Sequence, residues 1–403
     1  MIFLRNFIFV LITFVSVCAT AQDVTDPEAY VDLQSLENAI DSAKVNTDTT
    51  VVQKKGFFKS LMEYLSLDGG NKGGSDLNKV NVLGGPFYDN QAGFGVVVMA
   101  GGNFRLNKRD TISLPTTSQV YFNISTKGFW KLGTYGSIFL NENKWRINYD
   151  ISYEKMPSYF YGIGFENGDN EDNKTMQHKH IGLLHIEALM KVTGALKVGP
   201  AIRWNYVNSD TIARPELLEG QDRIVRNYGF GLVAEYDTRD NMKDAYSGWY
   251  AYTGVLFRPK FLWNRYAFTT LDLRLRHYKQ VWKGGVLAGD IYALFNFGNP
   301  SWAMMSLMGN SNRMRGYYSG RYRDKHMINL QLELRQHIWG RHGVALWAGV
   351  GNVFHDSDTF GKVLPNFGIG YRFAFRRRMN IRLDFGIGKD WQNGFVFNIN
   401  EAF

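Results

Sequence analysis

Alternation of apolar and polar residues with a period of two constrains this chain more than any other feature. Over 144–153 the odd positions are Trp145, Ile147, Tyr149, Ile151 and Tyr153, and the even ones are Lys144, Arg146, Asn148, Asp150 and Ser152. Successive strand side chains point to opposite faces, so this segment needs an apolar medium on one side and water on the other. The pattern recurs. Ile328, Leu330, Leu332 and Leu334 alternate with Asn329, Gln331, Glu333 and Arg335, and Met379, Ile381, Leu383, Phe385 and Ile387 with Asn380, Arg382, Asp384, Gly386 and Gly388. Leu196, Val198, Ile202, Trp204 and Tyr206 do the same against Lys197, Gly199, Ala201, Arg203 and Asn205.

Beyond residue 21 no run approaches the roughly 18 consecutive apolar residues of a membrane helix, which excludes a helical membrane protein. A soluble sandwich also alternates, but its inner faces must meet in a dry core and its outer faces are rarely this aromatic. Here aromatic residues are 15% of the 403, with 42 glycines and only 9 prolines. The apolar face carries Trp and Tyr near strand ends and the polar face carries Arg and Asp, as a lipid-facing wall around a wet lumen requires. The expected fold is all-β, a transmembrane antiparallel β-barrel.

Strands are expected at about 91–104, 117–126, 131–140, 144–153, 158–165, 178–191, 194–207, 224–237, 247–258, 265–278, 281–296, 326–339, 342–353, 364–376, 378–388 and 393–403, sixteen in all. With both ends periplasmic, the long polar connections 105–116, 166–177, 208–223 and 298–325 face outward, and short turns such as Gly340-Arg341 face inward.

The ends read differently. Arg5, the apolar stretch 7–17 and Ala19-Thr20-Ala21 form a signal peptide over 1–21, with Gln22 the expected first mature residue. Cys18 is the sole cysteine, so the mature chain has no disulfide, thiolate metal site or cysteine nucleophile. Residues 22–86 form a short N-terminal segment and linker ahead of a barrel at 87–403. Its start is acidic, Gly69-Gly70-Asn71-Lys72-Gly73-Gly74 reads as flexible, and Phe57, Phe58, Leu61, Met62, Tyr64 and Leu65 suit one short amphipathic helix. Plugging the lumen, lying on the inner leaflet and capping are all compatible with it. At the other end Phe395, Phe397, Ile399 and Phe403 share one face of the last strand, which resembles the signal that barrel assembly machinery reads on its substrates.

One long polar loop, 299–325, lies between the eleventh and twelfth strands and contains Met314-Arg315-Gly316-Tyr317. Loops of this length are uncommon unless functional or disordered. The tetrapeptide, its place in the strand order and the following Leu332-Glu333-Leu334-Arg335 resemble the barrel of the BamA/TamA superfamily, also called bacterial surface antigen barrels. The resemblance implies that the loop folds back into the lumen, with Arg315 inserted, Gly316 permitting a sharp turn and Tyr317 packed inside. Met314 stands where a branched residue is usual. Glu333 and Arg335 fall on the polar face of their strand, so Glu333 faces the lumen and can accept the fork of Arg315. On the thirteenth strand Gly351 matches the family, but Gly349 occupies the position of an aspartate, leaving Glu333 as the main expected partner. The POTRA domains of BamA and TamA have no counterpart in 22–86, so the chain looks like a barrel-only member.

No enzymatic constellation accompanies these features. His178 and His180 share a face and His185 lies on the opposite one, beside a polar loop and without a Ser or Asp pattern in catalytic order. The expectation is no catalytic residue, no metal and no cofactor. Export removes nucleic acid from reach, and Arg376-Arg377-Arg378 with the net charge of +9 suits anionic lipid phosphates, including lipopolysaccharide. Two functions fit. One is an outer-membrane barrel assisting insertion or translocation of proteins or lipids through a weak seam between first and last strands, with Gly93, Gly95, Gly101 and Gly102 weakening the first. The other is a structural or passive-pore barrel with a loop-plugged lumen.

Overall fold

In the computed structural model, residues 80–403 are described apart from 90, 107–109, 111, 243 and 377. The expected signal peptide, the helix over 57–65 and the glycine linker lie outside the described residues. Sixteen antiparallel strands follow one another in chain order around a single sheet. They are Val80–Asp89 (β1), Gly93–Phe104 (β2), Thr116–Ser125 (β3), Trp130–Leu140 (β4), Trp145–Phe160 (β5), Thr175–Lys191 (β6), Leu196–Ile212 (β7) and Ile224–Asp237 (β8). The second half comprises Gly248–Arg258 (β9), Phe268–Trp282 (β10), Gly285–Gly298 (β11), His326–Trp339 (β12), His342–Phe354 (β13), Leu364–Arg376 (β14), Met379–Gly388 (β15) and Asn393–Ile399 (β16).

Period-two alternation has its expected consequence. Leu330 and Leu332 point outward and are exposed, whereas Asn329, Gln331, Glu333 and Arg335 are buried in the lumen. Tyr236, Trp249, Trp282 and Trp339 lie exposed at the inner ends of β8, β9, β10 and β12, the position of an interfacial aromatic girdle. The turns after β10, β12 and β14 at that end are two residues long, and Gly284, Gly340 and Arg378 adopt the positive φ that such connections demand.

The count of sixteen conceals two compensating differences. β1 occupies 80–89 and begins inside the 22–86 stretch read as linker, because Gly84, Gly85 and Pro86 suppress its strand signal. As an end strand paired to β2 alone, it tolerates a proline that an interior strand would not. Conversely, no separate strand spans 158–165. β5 runs unbroken through Pro157, which is accommodated because the β4 ladder has already ended at Lys155. After it come only the helix Phe165–Asp169 (α1) and a single 3-10 turn.

This shift reverses the side of every connection ahead of β5. The 105–116 connection, expected outside, joins β2 to β3 at the inner end. There Leu114 N–H donates to Asn143 Oδ1 at 2.8 Å, in the inner turn between β4 and β5. It also places Gly93, Gly95, Gly101 and Gly102 on β2 rather than on the first strand.

Every neighbouring pair from β1 to β16 shares an antiparallel ladder. Among the described residues none joins β16 back to β1, although the two strands lie side by side. The barrel is nearly closed, with one unladdered seam.

Candidate functional site

Loop 299–325 does not project into solvent. It turns inward and packs Met308, Met314, Tyr317 and Tyr322 against Met327, Val353 and Leu364 of the lumen wall, with Phe165 of α1 closing the cluster. A two-residue ladder between Ser306–Leu307 and Arg323–Asp324 ties its two limbs together.

At the loop's deepest point Arg315 has no solvent exposure. Its Nη2 lies 2.5 Å from Glu333 Oε2 and its Nη1 2.6 Å from Asp384 Oδ2. The guanidinium carbon sits 3.6 Å from the centre of the Trp347 ring. Two carboxylates plus an aromatic face are the partners that a desolvated guanidinium requires. The network extends outward from there. Arg335 Nε donates to Glu333 Oε1 at 2.8 Å, and Arg372 donates to Asp384 at 2.5 Å and to Glu401 at 2.8 Å. Arg382 donates to Asp384 at 3.1 Å and to Asn312 of the loop at 3.1 Å. Arg335 therefore touches Arg315 only through the carboxylate they share.

Backbone shape is as specific as charge. Gly316 has φ 113°, and a Cβ there would lie 2.7 Å from the carbonyl of Gly386 on β15. Side chains at Gly386 and Gly388 would collide with the Arg315 carbonyl and the Tyr317 ring respectively. The loop thus rests directly on a glycine groove. Asn366 donates to the Arg315 carbonyl. The Tyr317 hydroxyl donates to the Pro365 carbonyl at 2.5 Å and accepts from Lys389 N–H at 2.7 Å. Met314 N–H donates to Gln331 Oε1 at 3.0 Å from a left-handed φ of 49°. A branched residue would be strained there, which accounts for the methionine.

Gly351 does not approach Arg315. A Cβ on it would lie 2.9 Å from the Met308 methyl, so it makes room for another part of the same loop. Nor is there room for an anion at Gly349, where a Cβ would meet the Gln331 side chain at 2.7 Å and the Leu330 carbonyl at 2.8 Å. The second carboxylate comes instead from Asp384, two strands further round. Asp384, Arg372, Arg382, Trp347, Asn366 and Glu401 were not among the expected site residues. Alternation had placed Arg382 and Asp384 on the wet face, and paired lumen-facing glycines at 386 and 388 were the available sign that a backbone would lie there.

The end of the chain departs from expectation. β16 stops at Ile399 and Asn400 takes φ 65°, so the following residues turn into the lumen. Phe395 and Phe397 stay on the outward face of β16, but Phe403 is buried against Ala245, Tyr278, Ala288 and Ala402. Glu401 supplies the cause, accepting from Arg372 at 2.8 Å and from Asn380 at 2.8 Å. Phe403 therefore does not share the face that Phe395 and Phe397 occupy, and the side chain of residue 399 lies outside the described ones.

The inner mouth is covered from the far side as well. Arg378 in the β14–β15 turn donates to the Asp244 carbonyl at 2.6 Å and to Asp240 at 2.9 Å, and stacks 3.5 Å from the Tyr246 ring centre. That residue of the basic run thus holds the β8–β9 connection rather than a lipid headgroup.

The three histidines are not brought together. His180 lies 3.6 Å from Asp210 and against Tyr153, while His185 lies 3.5 Å from Glu187. Among the described residues no group of three or more His, Cys, Asp or Glu is arranged to hold a metal.

These features define a sixteen-stranded transmembrane barrel whose sixth outer loop is pinned inside its own lumen by a buried arginine. Solved structures similar to it in fold include BamA from Haemophilus ducreyi lacking POTRA domains 1–3, with a TM-score of 0.56 at 9% identity over 80% of this chain and 70% of that one. CdiB from Acinetobacter baumannii matches with a TM-score of 0.52 at 13% identity, and CdiB from Escherichia coli with 0.53 at 12%. The chain covers 60% and 62% of those two proteins, and 81% and 80% of it is covered by them. The likeness is one of fold, in keeping with the BamA/TamA resemblance. No family model and no curated protein matches the sequence.

Proposed function

We propose that this chain is an outer-membrane barrel of the BamA type that assists the insertion or translocation of proteins or lipids at the bacterial outer membrane, without catalysing a reaction. The observation that carries this reading is the seam. Every other neighbouring strand pair is laddered, whereas β1 and β16 meet without a ladder among the described residues. Strand edges that meet without a ladder offer backbone donors and acceptors to a third strand. Gly84 and Gly85 place the weakness on β1 itself. Its partners in this role are outer-membrane lipids including lipopolysaccharide, client outer-membrane proteins, and the assembly machinery that inserts the barrel.

A second reading, a structural barrel with a plugged lumen, draws on the inserted loop and the turned-in 400–403 segment. Cysteine pairs along 80–89 and 393–399, oxidised in cells, distinguish the two. The insertion reading expects register-dependent crosslinking and loss of activity when the seam is locked. Efficient crosslinking at every register with no cellular effect contradicts it and favours the structural barrel.

A further inference from the structure

The rim of the barrel steps down between β8 and β9. Phe230 is the outermost β8 residue with a β9 partner, Phe257, yet β8 continues six residues further to Ile224. At ~3.3 Å per residue the β9–β10 rim therefore sits about 20 Å along the strand below the end of β8.

Loop 259–267 fills that step and is fixed to it. Asn264 is buried, accepts from Tyr228 N–H at 2.8 Å, and donates to the Tyr228 carbonyl at 2.8 Å and the Pro259 carbonyl at 3.0 Å. The Tyr266 hydroxyl accepts from Asp222 N–H at 3.0 Å. A loop held this firmly can hide its apolar side chains, but this one does the reverse. Trp263 is 87% exposed and Phe261 71%, among the most exposed large apolar side chains described. Trp263 also holds a left-handed φ of 59°, uncommon for a bulky residue.

Their location explains the exposure. The Phe261 ring lies 6.4 Å from that of Phe230, which lies 6.1 Å from that of Phe257, and both belong to the outward wall. Phe230 is four residues deeper than Arg226 on the same face of β8, so Phe261 packs on the wall below the level of a charged side chain. Lys260 and Arg265 flank the aromatic pair, and Arg265 pairs with Asp222 at 2.6 Å. Exposed aromatics, among them the amphipathic Trp263, bracketed by cations are what a membrane–water boundary selects.

We propose that loop 259–267 is a membrane anchor, with Phe261 and Trp263 lying among the acyl chains of the outer leaflet and Lys260 and Arg265 meeting its phosphates. This rests on the outer-membrane reading above, and the test separates the two. With Cys18 replaced by Ser in the full chain, nitroxides are attached at Phe261→Cys, Trp263→Cys, Leu232→Cys on the outward wall of β8 and Glu216→Cys in an exposed outer connection. The protein is then placed in phosphatidylcholine–phosphatidylglycerol vesicles. The anchor expects oxygen-to-nickel accessibility ratios at 261 and 263 several-fold above that at 216 and close to that at 232. Ratios at 261 and 263 equal to 216, with 232 high, overturn the anchor alone. A low ratio at 232 as well overturns the membrane reading and the anchor together.

Discussion

A guanidinium without solvent contact persists only where its charge is compensated, and at Arg315 two carboxylates and an indole face compensate it. Tyr317 contributes by a different route, since its hydroxyl joins loop to wall with one bond given and one received. Tyr317→Phe should lower stability by about 1–3 kcal/mol, two net hydrogen bonds' worth, read as a lower temperature for loss of the fast gel mobility of the folded barrel. At the inner mouth, burial and then the neighbouring Glu401 push the Asp244 carboxyl from 3.8 up to about 6. A carboxyl raised in the folded state contributes stability below its ordinary value and loses it as pH rises through the folded one. Stability should therefore fall between pH 3.8 and about 6 relative to Asp244→Asn, whose amide does not titrate. Parallel melting curves over that range would contradict this. Glu333 was legible as a lumen residue from alternation alone, but Asp384 as its companion was not. Strand periodicity tells which face a residue occupies and not which strand lies opposite a loop.

At the scale of elements, the loop depends on glycines of the strand beneath it. Gly386→Ala drives a methyl into the Arg315 carbonyl and should cost about 1–3 kcal/mol, the usual penalty of overpacking. It should also expose 299–325 to protease. Gly361→Ala, with open space around it, serves as the control and should change neither property. Equal behaviour of the two variants would mean that the loop does not rest on β15. Most strands were readable because a wall between lipid and water imposes a strict period of two. The failures came where backbone chemistry overrode that period. Gly84-Gly85-Pro86 hid a real end strand, and Pro157 split one continuous strand into two on paper. The final turn at Asn400 was invisible for a related reason, because it depends on Arg372 and Asn380 capturing Glu401 across the sheet.

For the whole molecule, the charge network decides what the barrel is. Loop, β12, β14, β15 and the 400–403 segment are joined through Arg315, Glu333, Asp384, Arg372 and Glu401. The side of the barrel next to the seam is therefore braced from within while the seam itself has no ladder among the described residues. The most direct test of this arrangement is a double-mutant cycle on thermal stability with Arg315→Ala, Asp384→Asn and the pair. Removing one partner of a buried ion pair typically costs about 3–5 kcal/mol. The structure predicts that each single change approaches that loss and that the double mutant falls short of their sum by about 1–3 kcal/mol. Additive losses, or an Arg315→Ala barrel as stable as the parent, would contradict a loop pinned in the lumen.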